Sequence, residues 1–217
     1  MQWSDEGYLL SKNNFDENSI IIETFTLNHG KYSGLVYGGA SRKQKKTFQI
    51  GNKIFLNWKS KGENQSGYFN VELIKPIAPF FFDDKKRSAC LLSLASILKI
   101  LLPERQINKK IYHLYESMIN NLQENDWIKF YIKWELSLIK ELGYEVNFLS
   151  NNNNSIQVNN RLIKIPSFFL KDSTEISHKA DIKEALNFNR EIFLENFINP
   201  NRLRFPLFRN ILESYYI

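Results

Sequence analysis

The sequence predicts an α+β protein in which a small β domain is followed by a helical domain. Hydrophobic residues make up 43% of the 217 residues, which is enough for a substantial core. Short β-prone runs fill roughly the first third of the chain, and helical periodicity replaces them after Pro76 and Pro79. We therefore place the boundary near residues 76–82 and expect domains of residues 1–78 and 79–217.

Turn residues divide the N-terminal part into short strands. Asn28-His29-Gly30 and Gly51-Asn52 are typical of turns between such strands. Five short strands with a turn about every ten residues favour a small closed barrel or a sandwich. The predicted strands are Gly7–Leu10, which is the faintest, Ser19–Leu27, Tyr32–Tyr37, Lys53–Lys59 and Tyr68–Ile74.

Apolar residues at helical spacing fill most of the remaining chain. Asp83 or Asp84 offers an N-cap to the first helix, Pro103 ends it, and Gly143 ends the third. The first helix is apolar nearly all round, which favours a central position in a helical domain. The predicted helices are Lys85–Leu102, Asn108–Leu122, Asp126–Leu142, Ser177–Phe197 and Pro206–Tyr215, with a short hairpin over Ile156–Ile165 around Asn159-Asn160.

An aromatic stripe lies on one face of the third predicted helix. Its members are spaced by 4, 3 and 4 residues, so they share a face. We interpret the stripe as core packing, with a partner-docking groove as the alternative, since Trp and Tyr are also favoured at interfaces. The stripe consists of Trp127, Tyr131, Trp134 and Leu138.

Patterns for catalysis or metal binding are missing from the sequence. The three histidines lie far apart, and His29 is expected in a surface turn. The single cysteine, Cys90, rules out a disulfide framework and is expected to be buried in the first helix. The segment Gly34–Ser41 is superficially similar to a phosphate-binding loop, but Ala40 replaces the required lysine. We expect no enzymatic activity, no cofactor and no metal.

No secretory signal and no membrane span are visible in the sequence. The most apolar stretch, Ala89–Leu102, is 14 residues long and contains Lys99. A membrane-spanning helix needs about 20 apolar residues. The single cysteine fits a reducing compartment. We expect a soluble cytoplasmic protein.

A basic segment without acidic residues is the most informative feature. Residues 31–62 contain eight cations and no acid, although 23 acids in 217 residues would place about three there. Cations neutralise phosphates and aromatic rings stack on bases, so the segment predicts a nucleic-acid-binding surface. A solvated basic loop beside ordinary core aromatics is the alternative. The predicted contacts are Lys31, Arg42, Lys43, Lys45, Lys46, Lys59, Lys61, Tyr37 and Trp58.

Two details limit this surface. The densest part, Ser41–Lys46, lies between two predicted strands and is expected to be a loop. Phe55 and Trp58 are an odd number of positions apart, so in a regular strand they cannot both point outward.

An ordered set of residues runs through the chain to about residue 148. It includes Trp3, Asp5-Glu6-Gly7, His29-Gly30, Gly34-Leu35-Val36, Gly38–Arg42, Gly51-Asn52, Trp58, Leu101–Arg105, Leu114-Tyr115, Trp127–Glu135 and Glu141–Tyr144. In this order and spacing the set resembles RecO, the bacterial DNA repair mediator, most closely its alphaproteobacterial form. The resemblance implies an N-terminal OB fold and a C-terminal helical domain.

The resemblance also implies a non-enzymatic role at the nucleoid. RecO-like proteins bind single- and double-stranded DNA and anneal complementary strands. With RecR they help to load a recombinase onto strands coated by single-stranded-DNA-binding protein (SSB). One departure concerns a zinc module that many relatives carry as four cysteines. Here the corresponding region, about residues 147–165, is rich in Asn and lacks Cys, so thiolates cannot hold zinc there.

A protein–protein adaptor is the alternative function. Its helical domain would dock the acidic, phenylalanine-ended tail of SSB through Lys129, Lys133 and Lys140. An RNA-binding barrel also stays open, because charge and stacking do not distinguish the two sugars at this level. The other cations considered for the tail are Arg202, Arg204 and Arg209.

Overall fold

The protein is seen here in a computed structural model that describes residues 1–62, 67–144, 146, 155–158, 161–170 and 179–216. By its internal contacts the chain divides into two compact units, Met1–Tyr112 and His113–Ile217. No helix within the described residues is long and apolar enough to cross a bilayer.

The first unit contains a closed barrel. Its strands are β1 (Gln2–Asn14), β2 (Ile20–Thr26), β3 (Gly30–Val36), β4 (Lys53–Lys59) and β5 (Gly67–Lys75). The order around the barrel is β1-β2-β3-β5-β4, and neighbours are antiparallel except β3 and β5. β1 closes the barrel because its first half pairs with β4 and its second half pairs with β2. This is the predicted five-stranded OB-fold architecture.

Side chains at every second position fill the barrel. In β4, Ile54, Leu56 and Trp58 are buried, whereas Phe55 between them is 36% exposed. The odd spacing of Phe55 and Trp58 therefore has the predicted consequence, and only one of them faces outward. Phe48, from the connection between β3 and β4, joins the same core.

Helix α1 (Lys85–Leu101) begins at the predicted cap. The Asp84 carboxylate accepts the backbone N–H groups of Lys86 and Arg87, each at 3.0 Å. Burial raises the pKa of Asp84, but these hydrogen bonds and the Arg87 guanidinium outweigh it and hold the pKa below its ordinary value. A cap of this kind typically contributes about 1 kcal/mol of stability.

The position of α1 differs from the predicted place at the centre of a helical domain. α1 belongs to the same compact unit as the barrel and contacts β1. A Cβ added at Gly51 would lie 2.5 Å from Leu91 of α1, so the helix lies directly on the barrel connection. An apolar helix face predicts that the helix is buried, but the pattern does not show against which part of the protein it packs. The first unit thus reaches Tyr112, and the domain boundary at residues 78 and 79 stays a prediction.

The second unit is mainly helical. Its elements are most of α2 (Lys109–Asn121), then α3 (Trp127–Glu141), β6 (Ser155–Val158), β7 (Arg161–Lys164), α4 (Ser167–Leu170), α5 (Lys179–Phe193) and α6 (Leu207–Ser214). β6 and β7 pair antiparallel, as the predicted hairpin requires, so this part is not wholly α-helical. The predicted turn at residues 159–160 and the cap at residue 177 lie outside the described residues, as do residues 147–154 of the Asn-rich segment.

The core of the second unit combines the aromatic stripe with a buried ion cluster. All four stripe residues are buried, which confirms the core interpretation. The Arg209 guanidinium is fully buried beside the carboxylates of Glu135 and Glu213. Asn189 donates to the same Glu135 carboxylate at 3.1 Å. Polar contacts of this density fix the relative positions of α3, α5 and α6.

Candidate nucleic-acid interface

The predicted basic loop forms a short 3-10 helix, Arg42–Lys46, called here the basic helix. The Gln44 N–H donates to the Ser41 carbonyl and the Thr47 N–H donates to the Gln44 carbonyl, both at 3.0 Å. Its four cations are exposed, and none forms an ion pair with a carboxylate of the described residues. Within that part of the chain, no direct ion pair neutralises the positive charge of the basic helix.

Asn52 fixes the C-terminal end of the basic helix to the barrel. Its buried side-chain amide donates to the carbonyls of Lys46 and Thr47, at 3.0 and 3.2 Å. Its side-chain oxygen accepts the N–H groups of Ile77 and Ala78, at 2.8 and 3.1 Å. The sequence predicts Asn52 as a turn residue and includes it in the RecO-like set, without indicating that it is buried. Its buried hydrogen bonds make it the residue that positions the basic helix.

Lys12 extends the basic surface, although sequence reasoning missed it. Burial lowers the pKa of Lys12, and the nearby positive charge of Lys45 lowers it further. Two neighbouring ammonium groups repel each other, and a bound anion would relieve that repulsion. Lys12 was missed because the first predicted strand ends at Leu10, whereas β1 continues to Asn14.

A tyrosine pair lies where β3 ends and β5 begins. Tyr37 follows β3 and is 69% exposed, and Tyr68 of β5 is 36% exposed. Their ring centroids are 5.9 Å apart, with ring planes inclined by 56°. Tyr68 pairs with Leu35 of β3 and with Lys59 of β4. Lys61, beyond the end of β4, is exposed. Tyr68 could have been found from the sequence, since it alternates with Phe69 in a predicted strand.

A short turn connects the tyrosine pair to the basic helix. Arg42 lies five positions after Tyr37, so their Cα atoms are at most about 18 Å apart. Gly38 has a φ of +71°, and the Ser41 N–H donates to its carbonyl at 3.2 Å, which shortens the span further. Along the axis of a duplex the phosphates of one strand recur about every 3.4 Å, so roughly five nucleotides span the maximum separation of the two groups.

Lys31 and Trp58 do not belong to this surface, which corrects two predicted contacts. Trp58 is 2% exposed and packs so closely on Gly67 that an added Cβ there would lie 2.4 Å from the indole Nε1. Lys31 is 8% exposed, and its amine donates to the Lys99 carbonyl at 2.7 Å. Burial lowers the pKa of Lys31. Strand alternation turns Trp58 inward and α1 covers Lys31, so neither side chain can reach a nucleic acid.

The His29 side chain packs against the barrel, so His29 is more than the surface turn residue that the sequence predicts. Its ring stacks on Trp3 with a centroid distance of 4.0 Å, and its Nδ1 lies 2.8 Å from the buried Asp5 carboxylate. Cys90 is fully buried in α1, as expected. Within the described ranges, no group of three or more His, Cys, Asp or Glu side chains is placed to hold a metal ion.

The lysines considered for a partner lie on α3. Lys133 lines a groove of about 130 Å³ between α2 and α3, together with Trp134 and the 40% exposed Phe130. Lys129, one turn earlier, pairs with Asp126 at 3.1 Å. Lys140 is exposed further along the helix. The groove therefore combines apolar and uncharged polar side chains with a cation, and Lys133 is the lysine that lines it.

Arg209 cannot receive a peptide tail, which corrects another expectation. Its guanidinium is fully buried, and it donates to Glu135, Glu213 and the Leu186 carbonyl. The sequence could not distinguish it from Arg202 and Arg204, which are exposed.

Proteins named DNA repair protein RecO match about two thirds of the chain. The DNA repair protein RecO of Roseobacter denitrificans is 35% identical over 145 residues, and that of Hyphomonas neptunium is 37% identical over 147 residues. Each match covers 66% of this chain and 60% of the relative, so the chain spans 60% of their length. A solved Entamoeba histolytica asparaginyl-tRNA synthetase covers 74% of this chain and 39% of its own, but its TM-score of 0.28 and 11% identity carry no argument.

Two family models match consecutive parts of the chain. Residues 1–77, which contain the barrel strands and the basic helix, match the recombination protein O N-terminal model. Residues 83–153, which contain helices α1 to α3, match the recombination protein O C-terminal model. Because both models match in this order, over the barrel and then the helices, the chain belongs to the RecO family.

Proposed function

We propose that this chain mediates DNA repair and recombination by binding single- and double-stranded DNA and annealing complementary strands. With RecR it would help to load a recombinase onto SSB-coated single strands. The observation that carries the proposal is the basic helix, whose exposed cations have no carboxylate partner among the described residues. Family membership and the names of the relatives, DNA repair protein RecO, support it.

Annealing in this proposal is driven by base pairing alone. Two single strands repel each other through their phosphates, and cations on a protein surface lower that repulsion as they release counterions. The protein holds the strands close and leaves their bases available. No covalent bond changes, so the role is non-enzymatic. Its place would be the cytoplasm, at the nucleoid, where DNA lies.

The salt dependence of binding tests the proposal. Seven cations lie in the basic helix or near it and the tyrosine pair, so log K for a single strand should fall with log salt at a slope of roughly −5. Titration of a labelled oligonucleotide at several salt concentrations, with annealing rates measured in parallel, gives this slope. A slope near zero would contradict the proposal, and equal affinity for RNA of the same sequence would favour an RNA-binding role. The seven are Lys12, Arg42, Lys43, Lys45, Lys46, Lys59 and Lys61.

A second candidate function, a protein–protein adaptor, is favoured by the α2–α3 groove. Lys133 and Phe130 there offer a cation and an apolar surface to an acidic, phenylalanine-ended tail such as that of SSB. Replacing Lys133 with alanine should weaken binding of a labelled tail peptide roughly tenfold, because it removes a charge-assisted contact. Lys183→Ala, at an exposed position of α5 to which no tail contact is assigned, is the matched control. Tight DNA binding by a chain that does not bind the peptide would refute the adaptor.

A further inference from the structure

We propose that Tyr37 and Tyr68 form a base-stacking site for unpaired nucleotides, which makes the surface favour single strands over duplex. The inference rests on the proposed function and adds to it a contact that discriminates between the two forms of DNA. Sequence reasoning had placed Tyr37 together with Trp58. The burial of Trp58 and the position of Tyr68 replace that pair with another.

Neither tyrosine belongs to the buried core of the barrel. Tyr37 is 69% exposed, although a ring of this size ordinarily contributes to a core. Neither phenol hydroxyl has a hydrogen-bond partner in residues 1–62 and 67–144. The rings are inclined by 56°, so they are not stacked face to face. The exposed fractions, 69% of Tyr37 and 36% of Tyr68, are the ring surface that a base could contact.

The charges around the tyrosine pair fit a nucleic-acid backbone. Lys59 is the direct cross-strand neighbour of Tyr68, and Lys61 follows at the end of β4. The basic helix begins five positions after Tyr37. Cations that follow the backbone beside aromatic rings that stack on bases are the combination by which OB folds bind single strands.

Stacking of this kind is restricted to unpaired nucleotides. In a duplex both faces of each base are covered by its neighbours, so a protein ring can stack only after a base has been extruded. The basic helix can contact phosphates of either form, because that contact does not involve the bases. The basic helix therefore provides affinity for both single-stranded and duplex DNA, and the tyrosine pair provides the preference for single strands.

Alanine variants of the full chain test the inference. Tyr37→Ala and Tyr68→Ala should each weaken binding to an oligo(dT) of about 16 nucleotides by roughly tenfold, and the double variant should weaken it more. Binding to a duplex of the same length should change by less than about threefold. Tyr37→Phe and Tyr68→Phe are the matched controls, which keep the rings and should bind as the unaltered chain does. Thermal unfolding of each variant verifies that the barrel is intact.

An oligonucleotide with abasic sites provides an independent measurement. It keeps the phosphates and lacks the bases, so the unaltered chain should bind it about as weakly as the double alanine variant binds oligo(dT). Unchanged oligo(dT) binding by that variant, or an equal loss for single strands and duplex, would overturn the stacking site while leaving the proposed function in place. Failure of the unaltered chain to bind any DNA would overturn both.

Discussion

Replacing Arg209 with methionine should lower the free energy of unfolding by about 3–5 kcal/mol. The guanidinium is fully buried and donates to the Glu213 carboxylate at 3.0 Å and to the Leu186 carbonyl at 2.8 Å. It also binds Glu135, which is itself fully buried. The variant leaves that carboxylate in the core without its cation, and an unpaired buried charge is strongly unfavourable.

Chemical denaturation followed by tryptophan fluorescence measures this effect, since Trp127 and Trp134 both lie in the second unit. Arg202→Met, at an exposed position, is the matched control and should change stability by less than about 0.5 kcal/mol. Adding Glu135→Gln to Arg209→Met should restore part of the loss, because it removes the unpaired charge. A loss below about 1 kcal/mol in Arg209→Met would show that the cluster is not needed for stability.

The Arg209 guanidinium remains charged at any pH at which the protein is folded. Burial by itself lowers the pKa of this group. The carboxylate of Glu135, with contributions from Tyr131 and Glu213, outweighs burial and holds the pKa above its ordinary value. The second unit contains no cysteine, so no thiolate–metal site can stabilise it, and this ion cluster lies in its core.

Neutralising the basic helix should have the largest effect on DNA binding. In the variant with glutamine at Arg42, Lys43, Lys45 and Lys46, the salt slope for single strands should become less steep by about 2.8, because about 0.7 is lost per phosphate contact. Affinity at low salt should fall roughly 100-fold as four counterion-releasing contacts disappear. All four side chains are exposed, so the melting temperature should hardly change. Fluorescence anisotropy of a labelled oligonucleotide over a range of salt concentrations measures slope and affinity together.

A charge-matched variant separates this surface from the net charge of the protein. Four exposed cations of the second unit are changed to glutamine, so both variants lose the same four positive charges. The control should retain most of the affinity and the salt slope. If the two variants lost the same amount of DNA affinity, the overall net charge of the protein, +6, would govern binding and the basic helix would not. The control positions are Lys164, Lys183, Arg202 and Arg204.

Features that depend on neighbours along the chain were predictable. The change from strand to helix periodicity, the Asp84 cap and the bounds of β4 follow from local pattern, and the structure agrees with them. The acid-free segment 31–62 was equally visible, because the count of charges needs no folding. Strand alternation also predicts that Phe55 and Trp58 cannot both face outward, and the structure buries Trp58 and exposes part of Phe55.

Features that depend on distant parts of the chain were not predictable. Nothing in the sequence distinguishes the environments of Lys31 and Lys12. Helix α1 covers Lys31, whereas the continuation of β1 brings Lys12 close to Lys45. Tyr68 became a partner of Tyr37 only through the parallel pairing of β5 with β3. Arg209 differs from Arg202 and Arg204 because Glu135, far away in sequence, lies beside it. Composition and hydrophobic periodicity determined the secondary-structure elements and the positive charge of the candidate surface. Burial and strand pairing determined which side chains remain exposed to a ligand. Burial and strand pairing both depend on contacts between residues far apart in the sequence, so no short segment contains that information.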